Sequence, residues 1–129
     1  MKRRLIPMLG IAAALTLSAC AAKPLEPTVD TPLSVTGGES VVYQCEGNAQ
    51  VTVKYYGLSD GSLSFAKVML PDGQIYTLPQ AVSGSGVRFS DGISLSWQSK
   101  GKEGFVDTLN DQGKWQPQYR QCVMVESAL

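Results

Sequence analysis

There is no histidine among the 129 residues. That absence removes the usual general base at neutral pH, every histidine-dependent triad, and most zinc and haem sites. Cysteine is nearly as scarce: three residues and no C-x-x-C, which argues against a zinc ribbon or a thioredoxin-like centre. An excess of either charge is missing too. Eleven Lys plus Arg balance eleven Asp plus Glu, whereas a nucleic-acid partner asks for a concentrated basic patch. With 43% apolar and 17% charged residues, the chain is too apolar for disorder and too polar for a membrane bundle. Its length fits one small domain.

The longest uncharged apolar stretch, Leu5 to Leu17, is too short to cross a bilayer core of ~30 Å. It follows Lys2, Arg3 and Arg4 and ends in Ser18-Ala19-Cys20, the layout of a secretory signal. Leu17-Ser18-Ala19-Cys20 resembles the bacterial lipobox, in which the cysteine thiol takes a diacylglycerol and the peptide is cut before it. Each buried CH₂ of such an anchor is worth ~0.8 kcal/mol, and more than one acyl chain makes attachment stable. Residues 1–19 are therefore read as a signal peptide and Cys20 as the lipidated residue. Ala21 in the next position, not aspartate, resembles lipoproteins of the outer membrane, facing the periplasm. Cleavage leaves eight basic residues against eleven acids, a net charge of −3. Export also implies an oxidising compartment. Two cysteines then remain, Cys45 and Cys122, and they are expected to pair. Closing so long a loop is worth ~4 kcal/mol in the chain-entropy account.

Residues 20–40 hold Pro24, Pro27, Pro32, Gly37 and Gly38 among polar residues and show no apolar period. They read as a flexible tether. The bounds of the folded part are set at 41–125. There the period becomes two: Val51, Val53 and Tyr55; Leu63 and Phe65; and, most regularly, Ile93, Leu95 and Trp97. Turn signals separate these runs at Gly57 to Gly61, Pro71-Asp72-Gly73, Asp91-Gly92 and Asn110 to Gly113. No helical period is present. The expected fold is all-β, a small antiparallel barrel or sandwich with one disulfide.

Catalytic motifs are hard to find. Ser99 and Lys102 match S-x-x-K formally, but the flanks are strand and Gly101, and the S-D-N and K-T-G partners are missing. Gly84-x-Gly86 lacks the third glycine of a dinucleotide loop. Asp107 and Asp111 lack an EF-hand spacing. The chain reads as a binding domain without catalytic, metal or cofactor chemistry, its ligand met by loops on a stiff scaffold.

Ser83 to Lys102 has an unusual texture, SGSGVRFSDGISLSWQSKGK. A hairpin turning at Asp91-Gly92 would bring Ser85 and Lys100 together at one rim, a hydroxyl beside an ammonium. These residues resemble the MliC/PliC family, bacterial inhibitors of c-type lysozyme whose membrane-bound branch consists of lipoproteins. Ser85-Gly86-Val87-Arg88-Phe89 fits its S-G-x-x-Y motif, with Phe89 replacing tyrosine. Trp97 and Lys100-Gly101 fit the second part, and Tyr43-Gln44-Cys45 and Cys122 match its framing cysteines.

The resemblance implies an eight-stranded barrel whose loop plugs the lysozyme cleft. Ser85, Gly86, Phe89, Lys100 and Gly101 become the partner-binding residues. Lysozyme works with one protonated and one ionised carboxyl. An ammonium can pair with the ionised group and a hydroxyl can bond to either. The partner would be c-type lysozyme, with the membrane reached through lipid and no small-molecule substrate. The Ser85-to-lysine spacing is one residue longer than the family pattern; a bulge could absorb it, or Lys102 could replace Lys100. Arg88 and Asp91 would shape the loop. Two other readings are a lipocalin-like carrier, which needs a hollow barrel, and a structural envelope lipoprotein without a specific partner.

Overall fold

The computed structural model describes Gly10 and residues 31–125. Cys20, residues 21–30 of the expected tether and the expected signal peptide apart from Gly10 lie outside the described residues. Eight antiparallel strands follow in order: β1 (Val35–Gln44), β2 (Gln50–Leu58), β3 (Ser64–Met69), β4 (Ile75–Ala81), β5 (Val87–Ser90), β6 (Leu95–Lys100), β7 (Glu103–Leu109) and β8 (Trp115–Met124). Each pairs with its sequence neighbour, and β8 returns to β1 to close a barrel. A 3-10 turn, Glu46–Asn48, links β1 to β2.

Side-chain carboxylates and one amide organise four of the turns. Asp60 accepts the Ser62 N–H at 2.9 Å, Asp72 that of Gln74 at 2.9 Å, Asp91 that of Ile93 at 3.0 Å, and Asn110 that of Gln112 at 2.9 Å. Short polar side chains that bond two residues ahead favour such turns. Asp91 goes further and also accepts the N–H groups of Ser94 and Leu95, at 2.8 and 3.1 Å, and the Ser94 hydroxyl. Burial opposes its ionisation, but these donors outweigh that and hold its pKa down to about 2. The same bonds delay the start of β6 to Leu95. Ile93, expected within that strand, sits in the turn at 77% exposure.

β1 begins six residues before the boundary drawn from sequence. Residues 35–40, assigned to the tether, pair with β2 from Val35↔Leu58 onward. Gly37 and Gly38 concealed this. Both have positive φ, at 89° and 101°, and the register shifts between Gly37 and Glu39, so the alternation is broken by a bulge.

Inward positions fill the barrel. Val51, Val53, Ala66, Val68, Leu78, Leu95, Trp97 and Val106 are wholly buried, and Tyr43 nearly so. The Tyr43 and Trp97 rings meet edge to face at 4.6 Å. The Trp97 Nε1–H donates to the Tyr55 hydroxyl at 2.9 Å, which lies 3.1 Å from the Tyr43 hydroxyl. Burial, then the bond to Tyr55 and its charge, push the Tyr43 pKa up. Gly104 is required beneath the indole, because a Cβ there would strike the Trp97 ring. These buried side chains fill inward positions of the barrel, which does not favour the hollow a lipocalin-like carrier needs.

The closing seam is thin. β1 and β8 share two residue pairs, Tyr43↔Met124 and Gln44↔Val123. The Val125 N–H adds a bond to the Val42 carbonyl at 2.8 Å. The Cys45–Cys122 disulfide staples this seam across a sequence separation of 77. The pairing expected from cysteine parity is present. A second thin seam, β4 to β5, also has two pairs, Gln80↔Phe89 and Ala81↔Arg88. Pro79, just before it, has no N–H to contribute.

Candidate functional site

β5 and β6 pair without interruption from Ser90↔Ser96 to Val87↔Ser99. The hairpin therefore holds no bulge to absorb the longer serine-to-lysine spacing. Its open end carries Ser85 in the loop before β5 and Lys100 as the last residue of β6. Both line one open cavity of about 840 Å³. Of the two lysines weighed from sequence, Lys100 forms part of that wall. Lys102 sits in the turn, where its carbonyl accepts the Met124 N–H at 2.8 Å.

Gly86 joins the serine loop to the lysine strand. Its φ is +69°, and a Cβ would run into the Ser99 carbonyl oxygen and come within 3.1 Å of the Lys100 Cβ. Only glycine lets the two backbones approach this closely. Gly101 has φ +62° at the first of the two loop positions between Lys100 and Glu103. A positive φ there is what a tight primed hairpin turn asks of glycine.

Phe89, placed among the partner-binding residues by the motif, is 4% exposed, and its ring packs on Tyr55 at 5.6 Å between centroids. The pleat sends it inward while Arg88 points outward, so its part is packing. An apolar ring suits this place, because a buried hydroxyl would need its own hydrogen-bond partner. Arg88 braces the outer face of the hairpin. Its Nε–H donates to the Ser96 hydroxyl at 2.9 Å, and its guanidinium lies 5.4 Å from the Trp115 ring centroid.

Several cavity residues escaped the sequence reading. Arg120 pairs with Asp107 at 3.0 Å and lies over the Phe105 ring at 4.5 Å, so its guanidinium is held in one orientation. Glu46, Gln98, Ser99, Glu103 and Gln121 complete the polar part of the wall. No local motif connects residue 120 to residues 85–100. The link exists only through strand register, and β7 meets β8 with two register shifts, flanking Val106. The wall thus mixes two cations, two carboxylates, two amides and two hydroxyls, suited to a polar partner surface, with Lys100 and Arg120 able to meet carboxylates.

A family model described as the membrane-bound lysozyme inhibitor of c-type lysozyme matches residues 43–115, more than half of the chain. The chain belongs to that family. The matched span holds the whole β5–β6 hairpin and stops before Arg120 and Cys122. No curated protein and no solved structure matches the chain.

Proposed function

We propose that this member of the c-type lysozyme inhibitor family blocks its target by inserting the Ser85 loop and the Lys100 side chain into the catalytic cleft. The observation that carries the reading is the shared cavity wall, with Ser85 and Lys100 at one end of an unbroken hairpin. The Lys100 ammonium pairs with the ionised carboxylate of the target. The Ser85 hydroxyl bonds to the neighbouring carboxyl, protonated or not, because a hydroxyl both donates and accepts. Together they occupy the place of the scissile glycosidic bond. Gly86 and Gly101 contribute shape, by bringing loop and strand together and by turning the chain.

Residues 1–19 serve as the export signal, and lipid on Cys20 holds the protein in the cell envelope, at the outer membrane facing the periplasm. There it guards the wall that lysozyme attacks. A mature charge of −3 favours encounter with a basic enzyme, which makes association sensitive to salt.

The test is a titration of the mature protein against purified c-type lysozyme, with a goose-type enzyme beside it. Ser85→Ala with Lys100→Ala should weaken inhibition by ~30-fold or more, the loss expected when a desolvated charge partner is removed. Thermal unfolding should stay unchanged, since Ser85 and Lys100 are exposed. Full inhibition by a folded double variant would refute the assignment.

A further inference from the structure

We propose that Gln98 is a positioning residue: its side-chain amide ties the Ser85 loop to the strand carrying Lys100 and so fixes the separation of hydroxyl and ammonium. The inference rests on the role given above to Ser85 and Lys100, and it adds what holds them in place.

The serine loop has little else to order it. Residues 82–86 are Val, Ser, Gly, Ser and Gly, and Val82 is 93% exposed. Among the described residues, no backbone–backbone hydrogen bond begins or ends within 82–86. Small residues of this kind have much conformational freedom to lose. Two bonds to one acceptor oppose that freedom. The Ser85 carbonyl receives the Ser83 hydroxyl at 2.6 Å, from within the loop, and the Gln98 Nε2 at 3.3 Å, from β6. Only the second crosses to the strand that ends in Lys100.

Gln98 is well placed for this. It is half-buried and paired on both sides, with Arg88 of β5 and Phe105 of β7, so its backbone does not move with the loop. Gly86 presses the loop against Ser99 and Lys100 one residue further on. Contact at Gly86 sets how close the loop lies, and the Gln98 bond sets how Ser85 is turned. Without that bond the loop samples other orientations, and ordering it falls on the binding step.

Gln98→Met tests the tie, because it keeps side-chain length and removes the donor. In the free mature protein, backbone ¹⁵N order parameters at Ser85 and Gly86 should fall while the melting temperature holds. Against c-type lysozyme the dissociation constant should rise about fivefold, the worth of one ordinary hydrogen bond. That rise should vanish in a Ser85→Ala background, because Gln98 acts through Ser85. Ser83→Ala, which removes the other donor, should also lower the order parameter at Ser85.

Unchanged order parameters and unchanged affinity in Gln98→Met would overturn the proposal. So would a loss of affinity that persists in full without the Ser85 hydroxyl, which would make Gln98 a direct contact. If Ser85→Ala with Lys100→Ala leaves inhibition intact, the function assigned to the pair falls. The order parameters of the free protein still decide whether Gln98 orders the loop.

Discussion

Removing the disulfide should open the barrel at one place before it unfolds the rest. The bond closes a loop with a sequence separation of 77. In the chain-entropy account such a cross-link is worth about 4.5 kcal/mol. A domain of this size has ~5–15 kcal/mol in all, so the bond supplies a large share. The seam it staples offers little in compensation, with two residue pairs against the nine that join β1 to β2. Both cysteines are buried, Cys45 at 6% and Cys122 at 0% exposure, so Cys45→Ala with Cys122→Ala also leaves space in the wall. Urea unfolding of the double variant should lose ~3–5 kcal/mol. Native-state amide exchange should accelerate first in β1 and β8 and least at the β2–β3 pairing. A loss below ~1 kcal/mol, or exchange that rises equally in all eight strands, would refute the view that the staple holds a weak seam.

Two further outcomes follow from the core and the turns. Asp91 has its folded pKa lowered to about 2, below the ~3.9 of an unfolded aspartate, so its ionised form stabilises the native state. That contribution is whole above about pH 4 and is lost as pH falls through 2; urea midpoints between pH 5 and 2 should fall less steeply in Asp91→Asn than in the parent. Tyr55→Phe strips the acceptor from the buried Trp97 N–H and the partner from the Tyr43 hydroxyl, and should cost ~1–3 kcal/mol in thermal or chemical unfolding.

How far the fold could be read from sequence depended on whether a local rule stayed local. The Asp91-Gly92 turn and the strand through Trp97 were legible because a carboxylate two residues ahead of its donor and a period of two are both short-range signals. Ile93 kept the period yet left the strand, since the Asp91 carboxylate captured the N–H groups a strand would use. β1 was shortened in the reading because Gly37 and Gly38 insert a bulge, which changes the side-chain parity that the reading relies on. β7 hid for another reason. Phe105 and Val106 are adjacent apolar residues, and Phe105 is outward, covered by Arg120.

The site divides along the same line. Ser85 and Lys100 could be brought together on paper because one hairpin connects them and its pairing has no slip. Motif position says nothing of pleat direction: Phe89, three places from the exposed Gly86, is buried. Arg120 on β8, Asp107 on β7 and Glu46 in the turn between β1 and β2 come from other elements and depend on closure of the barrel. This gives the filled core a functional reason. Trp97 lies on the lysine strand, Tyr55 on β2 and Tyr43 on β1, so one hydrogen-bonded aromatic group fixes the hairpin against the far wall. A rigid wall lets a short, glycine-rich loop be held by few bonds, because only the loop, and not its support, has to be ordered when the partner arrives.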